Sequence, residues 1–278
     1  MSLDVNYQFF LGGTDLEMLT IQQLLIAQGL EFVDGGLSWG AKASSYLTEI
    51  RASFARGRVP VLIELELDIP ADLISKCVIV DHHGSKAGKD VATSLEQVYT
   101  LLQLQESLWS RHFQLVAAND RGHIRAMRLL VPPASDSEIR TIREADIRAQ
   151  GATDADLAEA RDAASSAEMR CNGRLTVART SGHQGLVAEF LETFFGGPGF
   201  HNLMVIGSHS TSFFGEGRWV QRLAGLSPPS PLSWFGGSLP DFGFWGAEAS
   251  GLAFDPLASV ESWLGAESTG GVGSRTSG

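Results

Sequence analysis

The chain has 278 residues, 44% hydrophobic and 19% charged, the balance of a folded globular protein rather than a disordered or collagen-like one. Lys and Arg number 21 against 32 Asp and Glu, a formal net charge of −11, which excludes the basic footprint needed to capture long duplex nucleic acid. A small phosphate ester is not excluded, because metal ions held by carboxylates supply positive charge locally.

YQFFLGG, from Tyr7, reads as a strand ending in a glycine turn. LEMLTIQQLLIAQG follows as a helix closed by Gly29, LEFVDGG as a second strand and AKASSYLTEIRASFARG as a second helix closed by Gly57. VPVLIELEL and CVIVDHHG are near-continuous apolar runs, as in a parallel sheet covered on both faces. TSLEQVYTLLQLQESLW and RHFQLVAANDRGHIRAMRLL then read as helices. The alternation predicts an α/β fold, a doubly wound parallel-sheet N-terminal domain over about residues 1–130. Residues 131–172 open with a double proline and are rich in Ala, Asp, Glu and Arg, which predicts a connector of exposed helices. Strand and helix patterns resume over 173–266 as a smaller α/β C-terminal domain, and residues 267–278 are expected to be a disordered tail.

Cys77 and Cys171 show no zinc spacing and imply no disulfide framework. No window reaches the ~18 apolar residues of a membrane span, and MSLDVNYQFFLGG lacks a basic segment ahead of an apolar one. A cytoplasmic location with no membrane partner is the expectation.

The sharpest feature is Asp81-His82-His83-Gly84, directly after the apolar strand Cys77-Val78-Ile79-Val80. In a parallel sheet the carboxyl ends of the strands open onto the crevice where ligands sit. An acid beside two imidazoles there has a metal-site composition, although two solvated histidines in a turn fit the tripeptide alone. Other acids also stand at element ends: Asp15 and Glu17 in Gly12-Gly13-Thr14-Asp15-Leu16-Glu17, Glu64 after Val61-Leu62-Ile63, and Asp120 in Ala117-Ala118-Asn119-Asp120-Arg121-Gly122. Taken singly, each is as readily a helix cap or a solvated turn. Carboxylates with imidazole suit Mn²⁺ or Mg²⁺ better than zinc.

In this order the four segments resemble the N-terminal motifs of the DHH phosphoesterase superfamily. That group includes RecJ-type exonucleases, nanoRNases, cyclic-dinucleotide phosphodiesterases, exopolyphosphatases and family II pyrophosphatases. The resemblance covers roughly residues 8–125, and the connector with a smaller second domain matches the family's plan. It implies a hydrolase that uses two Mn²⁺ or Mg²⁺ ions about 3.5 to 4 Å apart for in-line attack on phosphorus. Asp15, Glu17, Glu64, His82 and Asp120 fall on its metal positions. His83 falls on the residue that meets the scissile phosphate, and Asp81 on the acid of the same motif. In place of the family's glycine-rich substrate loop the chain has Ser208 and His209 in one glycine turn and Gly236 and Gly237 in another, a phosphate nest or ordinary turns between strands. The substrate implied is a small phosphorylated molecule or a short oligonucleotide, and a homodimer is compatible with the resemblance.

Leu11 stands where many members carry histidine, and Glu17 and Glu64 stand where they carry aspartate. These departures motivate a second reading, a protein of this fold that binds a phosphorylated ligand as a regulator without turnover. A nicotinamide oxidoreductase ranks far behind, because Gly-x-Gly-x-x-Gly is absent.

Overall fold

The computed structural model describes residues 6–38, 40–228 and 232–270, with side chains to residue 266. Contacts divide the chain into two compact units, residues 1–151 with 236–238, and residues 152–235 with 239–278.

In the first unit the order is β1 (Tyr7–Phe10), α1 (Leu16–Ala27), β2 (Phe32–Val33), α2 (Leu47–Ala55), β3 (Val59–Ile63), α3 (Ala71–Ile74), β4 (Val78–Val80), α4 (Ser94–Leu101), α5 (Arg111–Arg128) and α6 (Asp136–Ala149). The sheet is parallel throughout, in the order β2-β1-β3-β4. Phe9 and Phe10 point to opposite faces by the period of a strand, and both are fully buried. The sheet is therefore covered on both sides, as expected for a doubly wound α/β unit. Phe10 and its register partner Leu62 pack with Tyr46 and Ile50 beneath α2. Helices α1, α4 and α5 pack on one another. From β1 the chain steps to β2 on one side, then returns past β1 to β3 and β4 on the other. Right-handed crossovers in opposite directions place helices on opposite faces. They also leave a crevice at the carboxyl ends of β1 and β3, where the winding reverses.

Three expectations are corrected. VPVLIELEL is not strand throughout: β3 stops at Ile63, and Glu64 takes a left-handed backbone with φ 50. The helix expected over TSLEQVYTLLQLQESLW stops at Leu101, and only Glu106–Leu108 form a further 3₁₀ turn. The expected connector is not a separate exposed segment, for the division falls at 151/152 inside it. Helix α6 belongs to the first unit and buries Ile139, Ile142, Arg143 and Asp146. Their i, i+3, i+4, i+7 spacing is one helix face, but two of the four are charged, so composition alone disguised it.

The second unit continues with α7 (Asp154–Ser165), β5 (Glu168–Arg170), β6 (Leu175–Arg179), α8 (Gln184–Leu191), β7 (Leu203–Ile206), β8 (Ser210–Glu216), α9 (Gly217–Leu226), β9 (Ser233–Gly236), β10 (Phe242–Glu248) and α10 (Pro256–Gly270). Its mixed sheet has the order β5-β6-β7-β8-β10-β9. Met204, Phe213 and Trp245 are fully buried on it. Asn202, also fully buried, donates to the Arg174 carbonyl and to Glu216, and its side-chain oxygen accepts the Glu216 N–H. Helix α10 takes in 267–270 of the expected tail, and 271–278 lie outside the described residues.

Candidate metal centre

The crevice between β1 and β3 is made by close approach of backbone. A Cβ on Gly12 would lie 2.6 Å from the Glu64 carbonyl oxygen and 2.7 Å from that of Ile63. Only glycine lets the chain leave β1 here. Asp15 then caps α1, its Oδ1 accepting the Met18 N–H at 2.7 Å. Two residues on, Glu17 is 2% exposed and its Oε1 accepts the Leu95 N–H at 3.0 Å. Helix α4 begins there because Thr93 and Glu96 form a reciprocal capping box. Glu64 still donates its N–H to the Val80 carbonyl at 2.9 Å, but its left-handed φ departs from the strand conformation. That is the kind of backbone strain found at ligand sites.

After β4 the backbone turns through Gly84, whose φ of 60 an L side chain rarely adopts. His82 and His83 stand ahead of that turn with ring centroids 4.4 Å apart. The turn is pinned by Gln97 of α4, whose amide donates to the Asp81 carbonyl at 3.1 Å and accepts the Asp81 N–H at 3.4 Å. Asp120 comes from α5, which breaks its helical conformation at Gly122 and His123, two residues further on.

These side chains meet. One ligating atom each from Glu64, His82, His83 and Asp120 lie within 4.8 Å of one another. His82 Nε2 is 2.6 Å from Asp120 Oδ2, 3.5 Å from Glu64 Oε1 and 3.6 Å from Glu17 Oε2. All four of these atoms are buried, and beyond these contacts with one another none has a hydrogen-bond partner. Buried polar atoms are nearly always satisfied, so convergence of four that have only one another is a strong departure. Three are carboxylate oxygens, which repel one another without a cation between or beside them. A divalent ion with oxygen and imidazole ligands fits that donor set.

The electrostatics agree. Burial, then the carboxylates of Glu64 and Asp120, pushes Asp15 well above the usual range. Burial, then Asp120, pushes Glu17 up to about 8. Glu64 goes the other way: although burial opposes ionisation, the charges of His83 and His82 draw it down to about 2. Burial also opposes charging of His82, yet the facing carboxylate of Asp120, with Glu17 and Glu64, raises it far above the usual imidazole value. Without a metal, the His82 proton is thus the positive charge shared by the acids. His83 is raised too, against its burial, by Glu64 and Asp81.

Asp81 faces His83 and Lys86 instead of the convergent atoms. Its Oδ1 accepts the His83 N–H at 2.9 Å and lies 3.3 Å from His83 Nδ1, and Lys86 Nζ is 3.4 Å from its Oδ2. Despite burial, those hydrogen bonds and charges hold its carboxyl below the usual range. Asp81 can therefore orient and charge the His83 ring. Ser208 and His209 are exposed in the turn between β7 and β8 of the second unit. Gly236 closes β9, Gly237 follows with φ 100, and both group with the first unit. None of these four is in the metal-ligand cluster. Sequence reasoning missed Gln97, which carries no motif, and Leu95, whose N–H reaches Glu17. The T-x-x-E signature at Thr93 was the one available signal for that helix start.

No family model matches the chain, and no curated protein is significantly similar to it. Among solved structures it is similar to the exonuclease RecJ bound to manganese, at 13% identity and a TM-score of 0.39, covering 93% of this chain and 90% of that one. It is also similar to an exopolyphosphatase-related protein from Bacteroides fragilis, at 12% identity and a TM-score of 0.47, covering 93% and 91%. A third is RecJ in complex with Mn²⁺ from Thermus thermophilus, at 12% and 0.47, where 93% of this chain spans 52% of that one. RecJ-type exonucleases and exopolyphosphatases are among the enzymes whose motifs the sequence resembles.

Proposed function

We propose that this chain is a divalent-metal-dependent phosphoesterase that hydrolyses a phosphodiester or phosphoanhydride bond in a small nucleotide-like or polyphosphate substrate. The observation that carries the reading is the convergence of Glu17 Oε2, Glu64 Oε1, His82 Nε2 and Asp120 Oδ2, buried and without hydrogen-bond partners beyond one another, at the crevice of a doubly wound sheet. Glu64, His82 and Asp120 would hold Mn²⁺ or Mg²⁺, with Glu17 and Asp15 beside them. The bound ion supplies Lewis-acid polarisation of a phosphate oxygen and a nucleophile at neutral pH. His83, whose charged form Glu64 and Asp81 favour, would donate to a phosphate oxygen as charge develops on it. Asp81 holds that ring in orientation. Ser208, His209, Gly236 and Gly237 are proposed to bind the substrate's phosphate or base. The net charge of −11 favours a short substrate over a polymer.

The test is turnover of a generic phosphodiester and of inorganic polyphosphate with Mn²⁺. Activity that disappears with a chelator and in Asp120→Asn supports the reading, and absence of turnover by metal-loaded protein sinks it. A second reading, ligand binding without turnover, has an observation of its own. Leu11 is 1% exposed, with its carbonyl bonded to the Tyr46 hydroxyl at 2.8 Å, so that position offers no ligating side chain. Phosphate-ligand binding by a metal-loaded protein that hydrolyses nothing would favour it.

A further inference from the structure

Helix α6 buries two charged residues, Arg143 at 5% and Asp146 at 6% exposure. An apolar pair of similar volume often packs as well or better in such a position, because charges lose their hydration there. The pair therefore calls for a reason other than stability, and its contacts supply one. Arg143 Nη1 donates to Asp146 Oδ2 at 2.7 Å and to Asn119 Oδ1 at 2.8 Å. Asp146 Oδ1 accepts the Leu16 N–H at 3.2 Å. Leu16 directly follows Asp15, and Asn119 directly precedes Asp120. One ion pair thus grips two segments, on α1 and α5, each one residue from an acid of the metal centre. Like-charged carboxylates gathered in one crevice repel each other. A rigid tie behind them sets their separation before any ion arrives.

We propose that Arg143 and Asp146 are positioning residues for the metal centre, a brace from α6 that holds the Asp15 and Asp120 segments in register. The inference rests on that centre taking a divalent cation. Its bonds to Asn119 and to the Leu16 N–H reach the neighbours of two acids of the centre, so the brace acts as the partners behind metal ligands do, whose loss typically weakens metal binding about 10- to 100-fold.

The test compares Arg143→Lys and Asp146→Asn with Ile139→Val, a fully buried residue of the same helix. Mn²⁺ affinity is read by calorimetry, the resonance spectrum of the bound ion by electron paramagnetic resonance, and melting of the metal-free protein by circular dichroism. Lysine keeps a charge near Asp146, but its ammonium ends one bond short of Nη1, the atom that donates to both acceptors. The expected result is a loss of Mn²⁺ affinity of about tenfold or more in both brace variants, with an altered spectrum, while Ile139→Val keeps the parent's affinity and spectrum. Parent-like affinity and spectrum in the brace variants of a parent that does bind Mn²⁺ would overturn the brace alone. So would an equal loss in Ile139→Val at matched melting temperature, since the effect would then be general loosening. A parent that takes up no Mn²⁺ overturns the metal centre and the brace together. Should Asp146→Asn fail to fold, Arg143→Lys carries the same outcomes.

Discussion

Glu17 shows most directly what the centre does to a single side chain. Its carboxyl is held up to about 8 by burial and by Asp120, so at pH 6 to 7 it carries a proton that a cation must displace. His82, charged far above its ordinary range, must also give up a proton before Nε2 can ligate. Mn²⁺ binding should therefore release protons, and affinity should rise from pH 6 to pH 8. Calorimetry in buffers of different ionisation heat reads this, and flat affinity with no buffer dependence would count against the site. The sign for stability is the same for both groups. A raised folded-state pKa means that the folded chain binds the extra proton, so metal-free stability falls as pH climbs from about 4.5 to 8 for Glu17 and above 6.5 for His82. Glu64, lowered to about 2, contributes above its ordinary 4.5 and loses that contribution only in acid. Mutations should separate further roles. Asp15→Asn keeps a residue able to cap α1, so it should lower metal affinity with little change in helix content. His82→Ala should cut metal occupancy, whereas His83→Ala should leave metal bound and slow turnover. Equal behaviour of the two histidine variants would contradict those roles. The grouping of Glu64, His82, His83 and Asp120 was legible because motif order marks them. Gln97 and Arg143 were not, because nothing in a single helical sequence says which polar residue turns inward.

At the scale of elements, the crevice depends on how tightly the end of β1 passes that of β3. Gly12→Ala would push a methyl group into two backbone carbonyls that cannot rotate away. Overpacking of this kind costs about 1 to 3 kcal/mol. Denaturant unfolding should show that loss, and because the carbonyls belong to Ile63 and Glu64, Mn²⁺ affinity should fall with it. Unchanged stability would mean that the strand ends are free to separate. Strands β1, β3 and β4 and helix α1 were readable from apolar runs and caps. Strand β3 was overextended because Glu64, Glu66 and Asp68 continue its alternation, while the departure at Glu64 is a backbone choice no periodicity reports. Helix α5 was predicted as one pattern, yet Gly122 and His123 break its conformation just past Asp120. His123, at that break, has its pKa pushed well down by burial and by the nearby Arg143 charge.

For the whole molecule, contacts divide the chain at 151/152, inside the stretch expected to be a connector. The α6 stripe looks like a solvated connector until Arg143 and Asp146 are seen to be buried. No helix among the described residues is long and apolar enough to cross a membrane. A ligand that binds only the folded chain adds about 2.7 kcal/mol at a hundredfold excess over its Kd, roughly 5 to 10 °C in Tm for a unit of 150 to 250 residues. The most direct measurement is Mn²⁺ uptake by the parent and by Asp120→Asn, titrated side by side. The parent should bind one or two ions per chain and melt higher with them, and the variant, still folded, should lose a bound ion and the gain in Tm. No uptake by the parent, or equal uptake by both, would contradict a metal centre at Glu64, His82 and Asp120.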